Sequence, residues 1–228
     1  MAIYAQDGTL LGNVDQQTGQ IKAVITRDGV TPGLFQDTRK AWYDFLDPRN
    51  KEMPDGVKTD LLGKQGDKKL RLNQHVIYAV KPLNATTIRF FNPSDSEQSG
   101  ITNLNNGQLD TKREFVAKAM SFQFFRGTDN GNDEEAMAAV WEPAVGYGPL
   151  LNSRVILKIS DKTIFDLPGE VFQVAADQRP ATVFLDKAIY FPSQTKLDLE
   201  VRLPGSTSMN VATDFLRFAF YGMVSADN

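Results

Sequence analysis

The chain contains no cysteine and a single histidine, His75. These shortages exclude disulfides, thiol nucleophiles, cysteine-ligated zinc and any metal site or acid–base pair that needs two histidines from one chain. An excess of either charge is missing too: 25 basic residues stand against 28 acidic ones, a net charge of −3, and neither sign collects in a long block. Nothing here marks an extended nucleic-acid footprint. No stretch reaches the roughly 20 apolar residues that cross a bilayer as a helix. Residues 1–26 place Asp7, Asn13, Asp15, Gln16 and Gln17 where a secretory signal would be apolar, so the expectation is a soluble protein without a signal peptide of its own. Tryptophan and tyrosine are scarce, 2 and 6 against 15 phenylalanines. That bias suits a dry sandwich core or subunit contacts.

What is present is β-structure. Residues 196–203 read Lys-Leu-Asp-Leu-Glu-Val-Arg-Leu, aliphatic at every second position and charged between. Successive side chains of a strand leave opposite faces, so Leu197, Leu199, Val201 and Leu203 enter a core while Lys196, Asp198, Glu200 and Arg202 stay wet. Burying four such side chains contributes roughly 6 to 12 kcal/mol before chain entropy is subtracted. The segment runs into Pro204-Gly205, a turn signal.

With 228 residues and 41% hydrophobic content the chain can build a substantial core. Strand signals recur over residues 70–80, 86–91, 115–125, 153–159, 163–174, 182–190, 195–203 and 214–222. The fourth and fifth are joined by Ser160-Asp161-Lys162, which predicts a hairpin. The last alternates Phe215, Arg217, Ala219 and Tyr221 with Leu216, Phe218 and Phe220, so both of its faces are expected to be at least partly covered. Between the third and fourth, residues 127–132 read as an acidic loop. Residues 133–141 read as a short helix capped by Asp133 and ended by Pro143.

Residues 1–69 differ. They hold a strand-like piece at 20–26, a turn cluster at 28–33 and a helix over 34–46, on which Phe35, Thr38, Trp42, Phe45 and Leu46 fall near helical spacing before Pro48 stops the run. Residues 47–69, with Pro48, Pro54, Gly56, Gly63 and Gly66, read as an extended loop or arm with few core positions. The expected organisation is an N-terminal arm with a short helix over 1–69 and a β-sandwich over 70–228. The fold class is all-β, an antiparallel sandwich with one or two short helices.

Chemical candidates are weak. His75 lies in a strand, where a structural histidine is the plainer reading than a catalytic one. Asp129, Asp133, Glu134 and Glu135 offer hard oxygens, but their spacing does not match a calcium loop, and a solvated loop with a helix cap accounts for them. No carboxylate pair among the 28 acids is singled out for glycoside hydrolysis. Residues 63–69, Gly-Lys-Gln-Gly-Asp-Lys-Lys, lack the order and setting of a phosphate loop and read as a basic loop. Asn84-Ala85-Thr86 matches a glycosylation acceptor without an export signal to support it. The face of Phe35, Trp42, Phe45 and Leu46 has two readings: packing on its own sandwich, or docking on a neighbouring subunit.

The hairpin over 154–165, the closing segments over 197–203 and 215–223, and the ending Tyr221-Gly222-Met223 resemble the jelly-roll capsid proteins of icosahedral viruses. More particularly, they resemble the major capsid proteins of tailless, often membrane-containing bacteriophages, the lineage that includes the double-jelly-roll proteins. The resemblance covers roughly residues 113–228 and rests on strand patterns. Two complete rolls usually need more chain than this, so one roll with an N-terminal arm is preferred, with a compact double roll as the alternative. The resemblance implies a non-enzymatic virion protein assembled in the host cytoplasm, with no cofactor, metal or small-molecule substrate. Its partners are copies of itself in trimers or larger capsomers, other virion proteins, and an underlying membrane or genome as further candidates. The candidate interface residues are Phe35, Trp42, Phe45 and Leu46 on the helix and Lys196, Asp198, Glu200 and Arg202 on the wet strand face. Two rivals stay open. One is a carbohydrate- or receptor-binding sandwich using Trp42 or Trp141, as in a spike or decoration protein, and the other is a sandwich-fold hydrolase with paired carboxylates.

Overall fold

The computed structural model describes residues 2–4, 10–14, 21–23, 32–67, 70–127, 133–144, 148–172, 182–205 and 213–227. In chain order the elements are β1 (Ala2–Tyr4), β2 (Leu10–Val14), β3 (Ile21–Ala23), α1 (Pro32–Leu46), α2 (Asp55–Gly66), β4 (Leu70–Pro82), β5 (Thr87–Arg89) and β6 (Phe115–Arg126). They continue with α3 (Asp133–Met137), β7 (Glu142–Pro143), α4 (Gly148–Leu151), β8 (Arg154–Ile159), β9 (Lys162–Pro168), a 3-10 turn (Gly169–Phe172), β10 (Thr182–Phe191), β11 (Leu197–Arg202) and β12 (Asp214–Asp227). The expected strands at 70–80, 86–91, 115–125, 153–159, 182–190, 195–203 and 214–222 all correspond to observed ones. The expected strand at 163–174 is β9 followed by the 3-10 turn, with residues 173–174 outside the described residues.

Two antiparallel sheets face each other, in the orders β10-β6-β12-β4 and β5-β11-β8-β9, while β7 pairs with β6, and β1-β2-β3 form a separate small sheet. The pairings β8 with β9, β6 with β10, β5 with β11 and β4 with β12 are nested around the hairpin turn. This is one long hairpin rolled up so that β12 also meets β6 and β11 meets β8. That wiring is a single jelly roll, an all-β sandwich built by Greek-key connections. At its centre Ile159 pairs with Lys162 around Ser160 and Asp161, whose φ values of 49° and 64° are those of a type I′ turn.

Phenylalanine fills the space between the sheets. Phe122, Phe172 and Phe218 form a triangle with ring centroids 5.4 to 5.8 Å apart. Phe218 leads at 5.1 Å to Phe220, which leads at 5.0 Å to Phe191, and Phe191 sits 5.5 Å from Phe115. Tilted and edge-on pairs of this kind add to the burial of each ring. From the second sheet Leu197, Leu199 and Val201 enter the same core, fully buried.

One irregularity decides which residues of β6 reach that core. Tyr221 pairs with Ala119 and Gly222 with Ala117, leaving Lys118 as an extra residue. The bulge reverses the alternation: Val116 and Ala119 face away from the core while Ala117 and Met120 face into it. Gly222 is required there, because a Cβ on it would lie 1.9 Å from the Val116 carbonyl oxygen.

Part of the outer face of the first sheet is covered by α1 and α2. Thr38, Trp42, Phe45 and Leu46 share one buried stripe of α1 at helical spacing. Three of them, with Met53 and Leu61, pack on Val116, Ala188, Tyr190 and Met223. The expectation of an extended loop with few core positions over 47–69 is therefore corrected: α2 occupies 55–66, Met53 and Leu61 are buried, and Lys58 is buried with its ammonium donating to the Asn50 carbonyl. Gly56, Gly63 and Gly66 hide this helix in the sequence, because glycine lowers helix propensity and tertiary packing restores it. The turn cluster at 28–33 lies largely outside the described residues, although Pro32 and Gly33 already belong to α1.

Candidate functional site

The charged face of β11 belongs to the outer surface of the second sheet. Cross-strand register places Arg89, Glu200, Ile156 and Asp166 in one row, with Arg202 opposite Arg154 and Asp198 opposite Lys158. The Arg202 guanidinium donates from Nε to Glu200 Oε1, and Arg154 Nε donates to Asp166 Oδ1 at 3.1 Å. That Arg202 hydrogen bond holds the Glu200 carboxyl below its usual range, with Arg202, Arg89 and Lys158 adding electrostatic attraction. Reciprocally, Glu200 holds the Arg202 guanidinium above its usual value.

Two ion pairs, Arg202 with Glu200 and Arg154 with Asp166, thus lie within this face. Lys196 and Arg202 are exposed and Asp198 is half-buried, but Glu200 is buried, so the expectation that all four stay wet is corrected at Glu200, which neighbouring strands cover. The alkyl stems of neighbouring long side chains in such a row can cover apolar surface, and Ile156, although outward-facing, is buried. Lys196 lies just before β11 and its carbonyl accepts from the Ser160 amide at 3.3 Å.

The aromatic helix residues are placed elsewhere. Trp42 is fully buried and its indole Nε1 donates to the Met223 carbonyl at 3.1 Å, while Phe45 stacks at 5.7 Å on Tyr190. Trp42, Phe45 and Leu46 therefore pack on the chain's own sheet, and the side chain of Phe35 lies outside the described residues. A sugar platform at Trp42 is ruled out by the same burial. Trp141 is half-buried, edge-on to Phe125 at 6.0 Å.

His75 sits at one end of the core, edge-on to Phe115 at 6.0 Å, with its Nε2 3.5 Å from the Asn103 side-chain nitrogen. Burial pushes its pKa down, and the Arg113 guanidinium pushes it in the same direction. Of the acidic candidates, Asp129 lies outside the described residues. Asp133, Glu134 and Glu135 form the first turn of α3, and Asp133 accepts from Gln98 at 3.3 Å. Among the described residues no group of three His, Asp or Glu gathers as a metal site. The basic loop expected at 63–69 is in part the end of α2, where Lys64 pairs with Asp60 at 2.8 Å, and Lys68 and Lys69 lie outside the described residues. Asn84 is exposed and lines a shallow cleft of about 410 Å³ with Lys81, Arg89 and Asn92.

The sequence reading missed the features at the rims of the roll. Glu114 is buried and accepts from the Tyr190 hydroxyl at 2.5 Å, the Ser193 amide at 3.0 Å and the Ser193 hydroxyl at 2.7 Å. It pins the β10–β11 connection to β6, and burial with this carboxylate pushes the Tyr190 phenol far up. These residues lie 76 and 79 positions from Glu114, so no local pattern announces them.

The two long sides of the roll also differ. Along β4, the connection between β5 and β6 lies as a seal: Val80 donates to the Ile101 carbonyl at 2.7 Å, Tyr78 donates to Asn103 Oδ1 at 2.9 Å, and Leu104 and Leu109 are buried in the core. Asp95 anchors the seal through Lys81 Nζ at 2.7 Å. On the other side β9 and β10 end their sheets, and Ile164 and Phe184 are 38% and 49% exposed. Phe165, Leu167, Val183 and Leu185 behind them are only partly buried.

The fold and its surfaces define the class as a jelly-roll β-sandwich with a helical cover on one sheet. Compared with known proteins, the chain matches no protein-family model and no curated protein sequence.

Proposed function

We propose that this chain is a structural protein of a virion that self-assembles, as a major capsid protein, into an icosahedral bacteriophage shell. The observation that supports this most is the combination of jelly-roll wiring with one side sealed and, among the described residues, one apolar side left open. Jelly rolls serve chiefly in capsids, lectins and cupins. Cupin-type metal chemistry uses several histidines, and this sequence has one. A lectin stacks sugars on exposed aromatics, and Trp42 is fully buried. A shell subunit needs a rigid wedge and a lateral contact, both of which a sealed sandwich with an open edge supplies. Expression of the chain alone, followed by light scattering and negative-stain electron microscopy, tests it: capsomers or shells are expected. A monodisperse monomer under every condition, together with absence from purified particles by mass spectrometry, would overturn it.

A receptor-binding role has one specific support, the cleft where Asn84, Arg89 and Asn92 offer amide and cationic groups to an acidic glycan. Glycan-array binding lost in Arg89→Ala would favour that reading over the shell.

A further inference from the structure

The open side carries more than apolar side chains. On β9, Asp166 is engaged by Arg154, and on β10, Lys187 is engaged by Glu52. Neither the Lys162 ammonium on β9 nor the Asp186 carboxylate on β10 has an ion-pair or hydrogen-bond partner among the described residues, and both side chains are exposed. Among the described residues, then, exposed Ile164 on β9 shares its strand with the unpaired Lys162, and exposed Phe184 on β10 shares its strand with the unpaired Asp186.

Both strands are also irregular. The register of β9 slips between Thr163 and Phe165, leaving Ile164 unmatched, and that of β10 breaks between Phe184 and Ile189. Interrupted edges resist continuous strand addition. An occupant of this edge meets side chains, not an extended ladder.

We propose that the β9–β10 edge is the contact between two copies of this chain related by a two-fold axis. β9 of each copy lies against β10 of the other, so that Lys162 of each meets Asp186 of the other while Ile164 and Phe184 are buried between them. A two-fold contact uses the same patch twice and must be self-complementary. An edge with an unpaired charge of each sign on different strands meets that condition, because the rotation that brings β9 to β10 brings opposite charges together. This contact deepens the self-assembly reading and rests on it.

The test uses the full-length protein in sedimentation velocity across a concentration series, with circular dichroism to show that each variant is folded. Wild type should dimerise or assemble further. Phe184→Asp should abolish dimers. Lys162→Glu and Asp186→Lys should each weaken association at least about tenfold, and the double exchange should restore it, a pattern that only direct pairing across the interface produces. Shells or oligomers indifferent to all four variants would overturn the edge contact while leaving the shell reading standing. Dimers that obey the charge exchange but never grow would keep the contact and remove the shell. A wild-type monomer at every concentration would overturn both.

Discussion

The outer faces of the two sheets are built from the same kind of strand and end in opposite states. On the first sheet Val116, Ala119, Tyr190, Ala219, Tyr221 and Met223 are all buried, part of that face lying beneath α1 and α2. On the second, Arg89, Arg154, Lys158, Asp198, Glu200 and Arg202 form a charged face with no helix over it among the described residues. The difference teaches why some strands announce themselves. A strand covered on both faces reads as a continuous apolar run, whereas one facing water on one side alternates cleanly. β12 and β6 are the first kind, and β11 is the second.

The comparison can be broken from the covered side first. Trp42→Ala should cost about 3–5 kcal/mol in urea unfolding, since it empties the helix–sheet contact and leaves the Met223 carbonyl without its donor. Trp42→Phe should cost clearly less, and equal losses would show that the ring itself is not what holds α1. At the bulge beneath that contact, Gly222→Ala forces a methyl into the Val116 carbonyl oxygen. A loss of about 3 kcal/mol is expected, and an unchanged thermal midpoint would mean that β6 does not approach so closely.

The exposed side should respond more weakly and with pH. Glu200→Gln should cost about 1–2 kcal/mol at neutral pH by leaving Arg202, Arg89 and Lys158 without their central anion. Because the Glu200 carboxyl titrates below the ordinary 4.5 in the folded state, its contribution is complete above pH 4.5. It then fades as pH falls through the lowered value. Stability curves of wild type and variant should therefore converge in acid, and a constant gap would contradict the pairing of Arg202 with Glu200. The smallest effect belongs to the hairpin between β8 and β9. Replacing Ser160-Asp161 by Asn-Gly relieves two left-handed residues and should raise stability by about 0.5–1 kcal/mol, measured as a higher urea midpoint.

Much of the roll was legible along the chain. The alternation of residues 196–203 predicts β11, and the polar turn after Ile159 predicts the β8–β9 hairpin, because both signals are local. α2 was illegible, since three glycines mask a helix that Leu61 and Met53 hold only by packing on a distant sheet. The burial of Glu200, expected to stay wet, was hidden for a similar reason. Arg89 and Lys158, which attract the Glu200 carboxylate, arrive from other strands, and sequence distance conceals them. The β9–β10 edge was equally hidden, because edges exist only once strand order is known.

The amino-acid sequence by itself determined the class of structure: alternation, turn residues and phenylalanine content predict a β-sandwich around a dry core over residues 70–228, through interactions that span a few positions. Only the tertiary structure decided which charges are spent within the sheet, which helix residues are buried, and which side of the roll stays open. Those outcomes depend on pairings such as Leu70 with Asp227, where chain neighbours carry no information about which groups will meet.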